Sequence, residues 1–249
     1  RGVSGAPAPR RYAAVALLGK TLKYTVDLSG AGCGCNAAFY LDPLRRSTQE
    51  SSCFDYYCDA NSVCGLRCDE IDVQEANMHA WHSTLHVHDD GSGIGAGYGG
   101  GDNWNGPRDW TSQEYGPGGK CIDTAQPFQV AVSFPVDEQG KLQAMAVQLS
   151  QAGKPCRLSL EVGRGGYWFG NRDGMAELSE TLRAGVTPII SYWSSKDMLW
   201  MDGQGSDSLG PCRFDDPSAC AASVSFYDFS VQPIAGATAG RAREARFLQ

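Results

Sequence analysis

The sequence predicts an all-β protein, a sandwich of two antiparallel sheets with one short helix. Three observations predict it. Short segments of alternating apolar and polar residues recur along the chain with turn residues between them. Glycine is abundant, 31 of 249 residues, which suits a loop-rich β architecture and argues against a helical one. One segment alone, 173–185, carries helical periodicity. A chain of this length buries most of its apolar surface, and no internal repeat or composition break divides residues 12–235. A single domain is expected there, after a flexible lead-in at 1–11 and before a polar tail at 236–249.

The elements follow in order. In "KTLKYTVDLS" (20–29) Leu22, Tyr24, Val26 and Leu28 share one face of a half-buried strand. "NAAFYLDP" (36–43) is a second strand, stopped by Pro43. A cysteine-bounded polar loop spans 44–69, and two strands span 70–88. "DDGSGIGAGYGGGDNWNGPRDW" (89–110) reads as a long structured loop. Its glycines lack the strand–GxGxxG–helix setting of a phosphate cradle. "PFQVAVSFPV" (127–136) and "KLQAMAVQLS" (141–150) form a hairpin, and "CRLSLEVG" (156–163) is a further strand. In "DGMAELSETLRAG" (173–185), Met175, Leu178 and Leu182 line one stripe, with Gly185 at the C-terminal cap. "VTPIISYWS" (186–194) and "ASVSFYDFSVQPI" (222–234) are strands. The latter carries apolar bulk on both faces, which predicts a central position.

Charge and cysteine content bound the function. The formal charge is −7, with no basic cluster before the tail. That disfavours nucleic acid and an anionic membrane as partners. No apolar run approaches the ~20 residues needed to span a bilayer, and no signal peptide is expected within the sequence. The first residue is Arg1 rather than Met, so a processing event or absent upstream residues is expected. Ten cysteines without paired CxxC spacing predict disulfide staples in an oxidised, secreted protein, their connectivity left open. A Cys64/Cys68/His82 metal cluster is the alternative. There is no N-x-[ST] site for glycosylation.

The chemistry concentrates in "CDEIDVQEANMHAWHSTLHVH" (68–88). With period two, Glu70 and Asp72 share a face opposite Ile71 and Val73, and a regular strand would then bury Glu75. Burying an unpaired carboxylate is costly. One extra residue near Val73–Gln74, a β-bulge, returns Glu75 and Asn77 to the Glu70 face. Glu70 and Glu75 would then stand roughly 5–5.5 Å apart, the spacing of retaining glycoside hydrolysis. One glutamate attacks the anomeric carbon; the other protonates the leaving oxygen and later deprotonates water. Asp72 tunes the nucleophile, and mutual repulsion raises the acid that holds the proton.

The competing readings are a solvated acidic edge and a calcium or magnesium site. On the return strand, His82, Thr84, His86 and His88 share a face. Either His86/His88 chelates a metal or one histidine assists the acids. A glucan groove also needs flat faces and polar forks, for which Trp104, Trp110, Trp168, Trp193, Trp200, Asn103, Asn105, Arg108 and Asp173 are candidates. For each tryptophan, core packing is the alternative. No cofactor and no metal are expected.

"EIDVQEAN" resembles the E-x-D-x-x-E signature shared by glycoside hydrolase families 7 and 16. "LLGKTLKYTVDLSGAGCGCNAAFYL", "YCDA", "EYGPG", "CIDTAQPFQV", "GVTPIISYWSSKDMLWMDG" and "VSFYDFSVQPI" resemble family 7 segments in order. The resemblance covers about residues 12–235. It implies a concanavalin-like β-jelly-roll that cuts β-1,4-glucan with retention. Glu70 falls at the nucleophile, Asp72 at the assisting acid, Glu75 at the acid/base and His86 at the active-site histidine. Arg108 matches an arginine of the leaving-group side; Trp193 and Trp200 match aromatics of the product side. Departures are Gln74 for a tryptophan, Ser194 and Ser195 for two acids, and Leu209 for an arginine.

Family domains are longer, so the resemblance implies either a minimal fold or an absent N-terminal companion segment before Arg11. The expectation is a secreted retaining endo-β-1,4-glucanase with an open cleft for cellulose or mixed-linkage β-glucan. A catalytically impaired β-glucan-binding protein on the same fold and an endo-β-1,3-glucanase are the alternatives.

Overall fold

The computed structural model describes residues 12–235 apart from 102, 103 and 105. The expected lead-in and tail, and Asn103 and Asn105, lie outside the described residues. Among the described residues, fourteen strands and two α-helices appear in chain order. They begin with β1 (Lys20–Asp27), β2 (Cys35–Asp42), β3 (Glu70–Ala76), β4 (Trp81–His86) and β5 (Ile94–Tyr98). Two-residue pieces follow, β6 (Tyr115–Gly116) and β7 (Ile122–Asp123). Next come β8 (Phe128–Ser133), β9 (Met145–Ser150), β10 (Leu158–Val162), β11 (Trp168–Phe169) and β12 (Arg172–Asp173). The chain ends with α1 (Gly174–Ala184), β13 (Thr187–Ser194), α2 (Leu199–Asp202) and β14 (Ser225–Pro233).

Two five-stranded antiparallel sheets form the expected sandwich: a back sheet ordered β10-β9-β8-β1-β14 and a front sheet ordered β13-β2-β3-β4-β5. In the back sheet, β8, β9 and β10 alternate as read. Val130, Val132, Val147, Leu149, Leu160 and Val162 are buried, and their neighbours face outward. The front sheet differs, because β2 and β4 are buried on both faces. Its inner face meets the core through Phe39, Ile71 and Leu85. Its outer face is covered by loops, and that covering builds the site.

The loops are stapled as the cysteine count predicts. Cys53–Cys64 and Cys58–Cys68 close the 44–69 loop; Cys33–Cys212 and Cys35–Cys220 tie the late loops to the start of β2; Cys121–Cys156 completes the set. No cysteine is free, so the Cys64/Cys68/His82 metal reading has no thiolates to use. α1 begins where Asp173 accepts a hydrogen bond from Ala176 N–H, and it buries Met175, Leu178 and Leu182. Gly185 ends it at φ 105°, a conformation that favours glycine. None of the helices among the described residues is long and apolar enough to cross a membrane.

Three expectations change. The glycine-rich 89–110 segment holds a strand, β5, paired to β4. A second, four-residue helix, α2, joins α1. β14 is an edge strand, not a central one, with Tyr227, Phe229 and Val231 40–47% exposed. The reason is a bulge. Asp228 adopts φ 57° and the register to β1 shifts there. Phe226 and Phe229 therefore turn to the same side, with ring centroids 5.6–6.3 Å from Tyr24 and Phe39. Their opposite parity in sequence imitated a strand covered on both faces.

Candidate active site

β3 has one residue too many for its neighbours. Against β2, Tyr40 pairs with Asp72 and Phe39 with Gln74, so Val73 has no counterpart. Against β4, Glu70 faces His86, Asp72 faces Thr84, and Glu75 faces His82. This is the expected bulge. Val73 and Gln74 both turn inward and are fully buried. Gln74 tolerates that position because Tyr24 Oη donates to its Oε1 at 2.9 Å and its Nε2 donates to Ala37 O at 2.9 Å. Glu70, Asp72 and Glu75 consequently line one cleft of about 600 Å³, with Trp104, Trp193 and Trp200 in its walls.

The acids are held by different donors. Ala60 N–H donates to Glu70 Oε2 at 2.9 Å, and Asn36 Nδ2 donates to Glu75 Oε1 at 3.0 Å. His86 Nε2 stands 3.1 Å from Asp72 Oδ2. Its Nδ1 lies 2.9 Å from Asp90 O. A carbonyl only accepts, so Nδ1 carries a hydrogen, and the contact with Asp72 needs a further proton between the two groups.

Burial dominates the electrostatics. It pushes Glu70 up, helped by the Asp72 charge, and Ala60 N–H opposes the rise. Asp72 is raised by burial and then by Asp59. Burial followed by the Asp72 charge pushes Glu75 up to about 8, against the Asn36 amide. Carboxyls crowded in a dry site cannot all ionise, so protons stay in this cluster at neutral pH.

The other expected residues divide. Trp104 packs against His82 with ring centroids 3.6 Å apart and the ring planes tilted by 45°. A Cβ on Gly95, Gly100 or Gly106 would overlap its indole, which gives those glycines a packing purpose. Trp193 projects from β13 and is 41% exposed. Asn77 is fully buried. Its Nδ2 donates to Cys35 O and Asp202 Oδ2, and its Oδ1 accepts from His79 and Ala80 N–H.

Arg108 spends its donors inside the protein. Nε and Nη2 grip the Asp207 carboxylate, Nη1 donates to Gly99 O, and Nη2 also reaches Gly100 O and Gln204 O. It pins two cleft loops together rather than facing the cleft. Asp173 caps α1 and pairs with Lys141, Trp110 is buried against Trp81, and Trp168 is 67% exposed on a separate hairpin.

Several residues were missed. Asp42 and Asp59 join the acid cluster, 0% and 2% exposed, and both Asp42 oxygens lack a hydrogen-bond partner. Burial, then Glu70 and Asp72, push Asp42 well above the ordinary carboxylate range. Continuing the alternation from Tyr40 on β2 would have found it. Asn36 carries no sequence signal, because its role depends on cross-strand register. Tyr40 and Tyr57 hydroxyls meet at 3.2 Å. Burial and Arg108 push the fully buried His82 down to about 3, so its ring is neutral beside Glu75.

Among the described residues, one group of metal-ligand types converges, Cys33, Cys212 and Asp202, and its two sulfurs are joined as a disulfide. What the cleft offers is a carboxyl able to hold a proton, a second carboxyl on the same strand face, and aromatic walls. That set suits acid–base and nucleophilic chemistry on a sugar ring.

No family model matches the chain. It is similar to Endoglucanase EG-1 of Hypocrea jecorina, 27% identical over 237 residues, covering 81% of this chain and 48% of that protein. It is also similar to Endo-beta-1,4-glucanase celB of Emericella nidulans, 26% identical over 266 residues, covering 83% and 61%. The chain thus spans about half of the first relative's length. In fold it is similar to a GH7 family cellobiohydrolase from Daphnia pulex, with TM-score 0.63, 20% identity, and 91% of this chain and 73% of that chain covered. An endoglucanase I complexed with cellobiose gives TM-score 0.65, 20% identity, and coverages of 91% and 71%.

Proposed function

We propose that this chain, which belongs by fold and by sequence similarity with the cellulases of glycoside hydrolase family 7, is a retaining endo-β-1,4-glucanase acting on cellulose or mixed-linkage β-glucan. One observation carries the reading: the bulge in β3 that turns Glu70, Asp72 and Glu75 into a single tryptophan-walled cleft. In the state where the cluster's proton sits on Glu75 and Glu70 is ionised, Glu70 attacks the anomeric carbon as Glu75 protonates the leaving oxygen. Glu75 then deprotonates the water that releases the glycosyl-enzyme. Asp72, coupled to His86, adjusts the charge beside the nucleophile. Trp104, Trp193 and Trp200 offer flat faces for pyranose rings. The five disulfides suit a secreted protein.

The test follows reducing ends released from soluble β-1,4-, mixed-linkage and β-1,3-glucans by the parent protein and by Glu70→Gln. Release from β-1,4 linkages by the parent alone is expected. Preference for β-1,3-glucan would reassign the substrate. Binding without release on any glucan would make the chain a glucan-binding protein.

A further inference from the structure

α2 carries Trp200 into the cleft wall, and two aspartates hold its two ends. Asp215 Oδ2 accepts from Met198 N–H at 2.6 Å, at the start of the helix. Asp202 is its last residue and is 0% exposed. Its Oδ2 accepts from Gly34 N–H at 2.9 Å and from Asn77 Nδ2 at 2.7 Å. Gly34 sits between the two acids: its N–H reaches Asp202, and a Cβ on it would stand 3.1 Å from Asp215 Cβ.

The two carboxyls flank Gly34, and the charge and side chain of Asp215 both raise Asp202. In each, Oδ1 is buried and receives no hydrogen bond. Carboxylate oxygens only accept, so two ionised groups here would repel across a dry gap. The donor that satisfies both is a proton on one of them.

We propose that Asp202 and Asp215 share a single proton, and that this carboxyl–carboxylate bond is a positioning clamp seating α2, and Trp200 with it, on the cleft wall. The protonated member donates its O–H to the other's Oδ1. When base removes that proton, two anions face each other and the α2 turn loses one of its ties. Through Asn77 the same clamp reaches the end of β3, two residues beyond Glu75.

Other charged groups nearby do not substitute for the proton. Lys196, Asp197 and Arg213 are exposed, Asp216 Oδ1 is taken by Ser218, and Glu75 is bound to Asn36. Cys33 and Cys212 are joined as a disulfide. Burial, then Asp215 against the Gly34 and Asn77 donors, pushes Asp202 up to about 6. A carboxyl raised in the fold stabilises it fully below the ordinary carboxylate range and loses that contribution as pH rises through the folded value. The clamp is therefore closed in mild acid and released above neutrality.

The inference does not depend on glucan cleavage and is read without it. Thermal unfolding is followed between pH 4 and 8 for the parent, Asp202→Asn and Asp215→Asn. An amide donates a hydrogen bond at every pH, so the clamp in either variant no longer needs a proton. Relative to both variants, the parent's midpoint should fall by about 2–4 °C as pH rises across this range. The acids of the cleft are common to all three proteins and cancel in the difference. Parallel curves would overturn the proposal. Carboxyl-carbon NMR of the parent gives a second reading that needs no variant. One coupled step near pH 6 supports the clamp, and two independent ordinary carboxylate titrations overturn it.

Discussion

Asn36 limits what Glu75 can do. Its amide donates to Oε1 and supports the ionised form, while burial and Asp72 push the carboxyl up to about 8. Glu75 therefore keeps its proton through the acid and neutral range, as a general acid must, and gives it up as pH rises through that value. Glucan hydrolysis should fall along the same limb. Asn36→Ala should move the fall to higher pH, because the carboxylate loses a donor; an unmoved limb in the kcat/KM profile would exclude Glu75 as the acid. Glu75→Gln should lower hydrolysis of unactivated glucan by ~100-fold or more. It should spare glycosyl-enzyme formation from an aryl glycoside whose leaving group needs no proton, and equal loss on both substrates would contradict its role. The acids themselves were legible in the sequence, because period two and the cost of burying Glu75 demanded a bulge. Asn36 was not, since it acquires its part only through pairing of β2 with β3, whereas alternation from Tyr40 reaches Asp42.

At the scale of the element, the bulge is secured from beneath. Gln74 occupies a core position because Tyr24 donates to it and it donates to Ala37 O. Gln74→Leu leaves the buried Tyr24 hydroxyl without an acceptor, a loss of about 1–3 kcal/mol. Tyr24→Phe combined with Gln74→Leu should recover part of that loss, because an apolar pair needs no partner. Denaturant unfolding of both single variants and the double checks the cycle; additive losses would show that the two groups do not support one another. The same physics separates what was readable here from what was not. β8, β9 and β10 obey simple alternation, and α1 has its cap and stripe in sequence. The Asp228 bulge in β14 breaks parity without burying a charge, since Asp228 itself is exposed, so an edge strand passed for a central one. β5 was hidden because its glycines serve packing, Gly95 against Trp104 and Gly97 against the Trp81 backbone, rather than turns.

Across the whole molecule, the carboxyls of the site make folding sensitive to pH in one direction. Asp42, Glu70, Asp72, Glu75 and Asp202 are all raised, burial being the largest cause in each. Each favours the fold while protonated and withdraws that stability as pH climbs from the ordinary carboxylate range through its folded value. The acids held low, such as Asp123, Asp173 and Asp207, lie near the surface, where solvent screens their opposite effect. Fully buried His82, pushed down to about 3, opposes them only as pH falls below the ordinary imidazole range, so above that range the buried carboxyls should win. The thermal midpoint is expected to be highest in mild acid and to decline steadily toward alkaline pH, measured by calorimetry or circular dichroism across the range. Glu75→Gln removes one of the contributing groups while keeping its shape. Its midpoint should match the parent's in acid and exceed it above pH 8, even as hydrolysis is lost. That pairing of gained stability with lost activity is what a strained catalytic carboxyl produces. A midpoint that rises with pH in the parent would mean that these carboxyls are ionised and compensated in the fold, and would remove the proton that Glu75 needs.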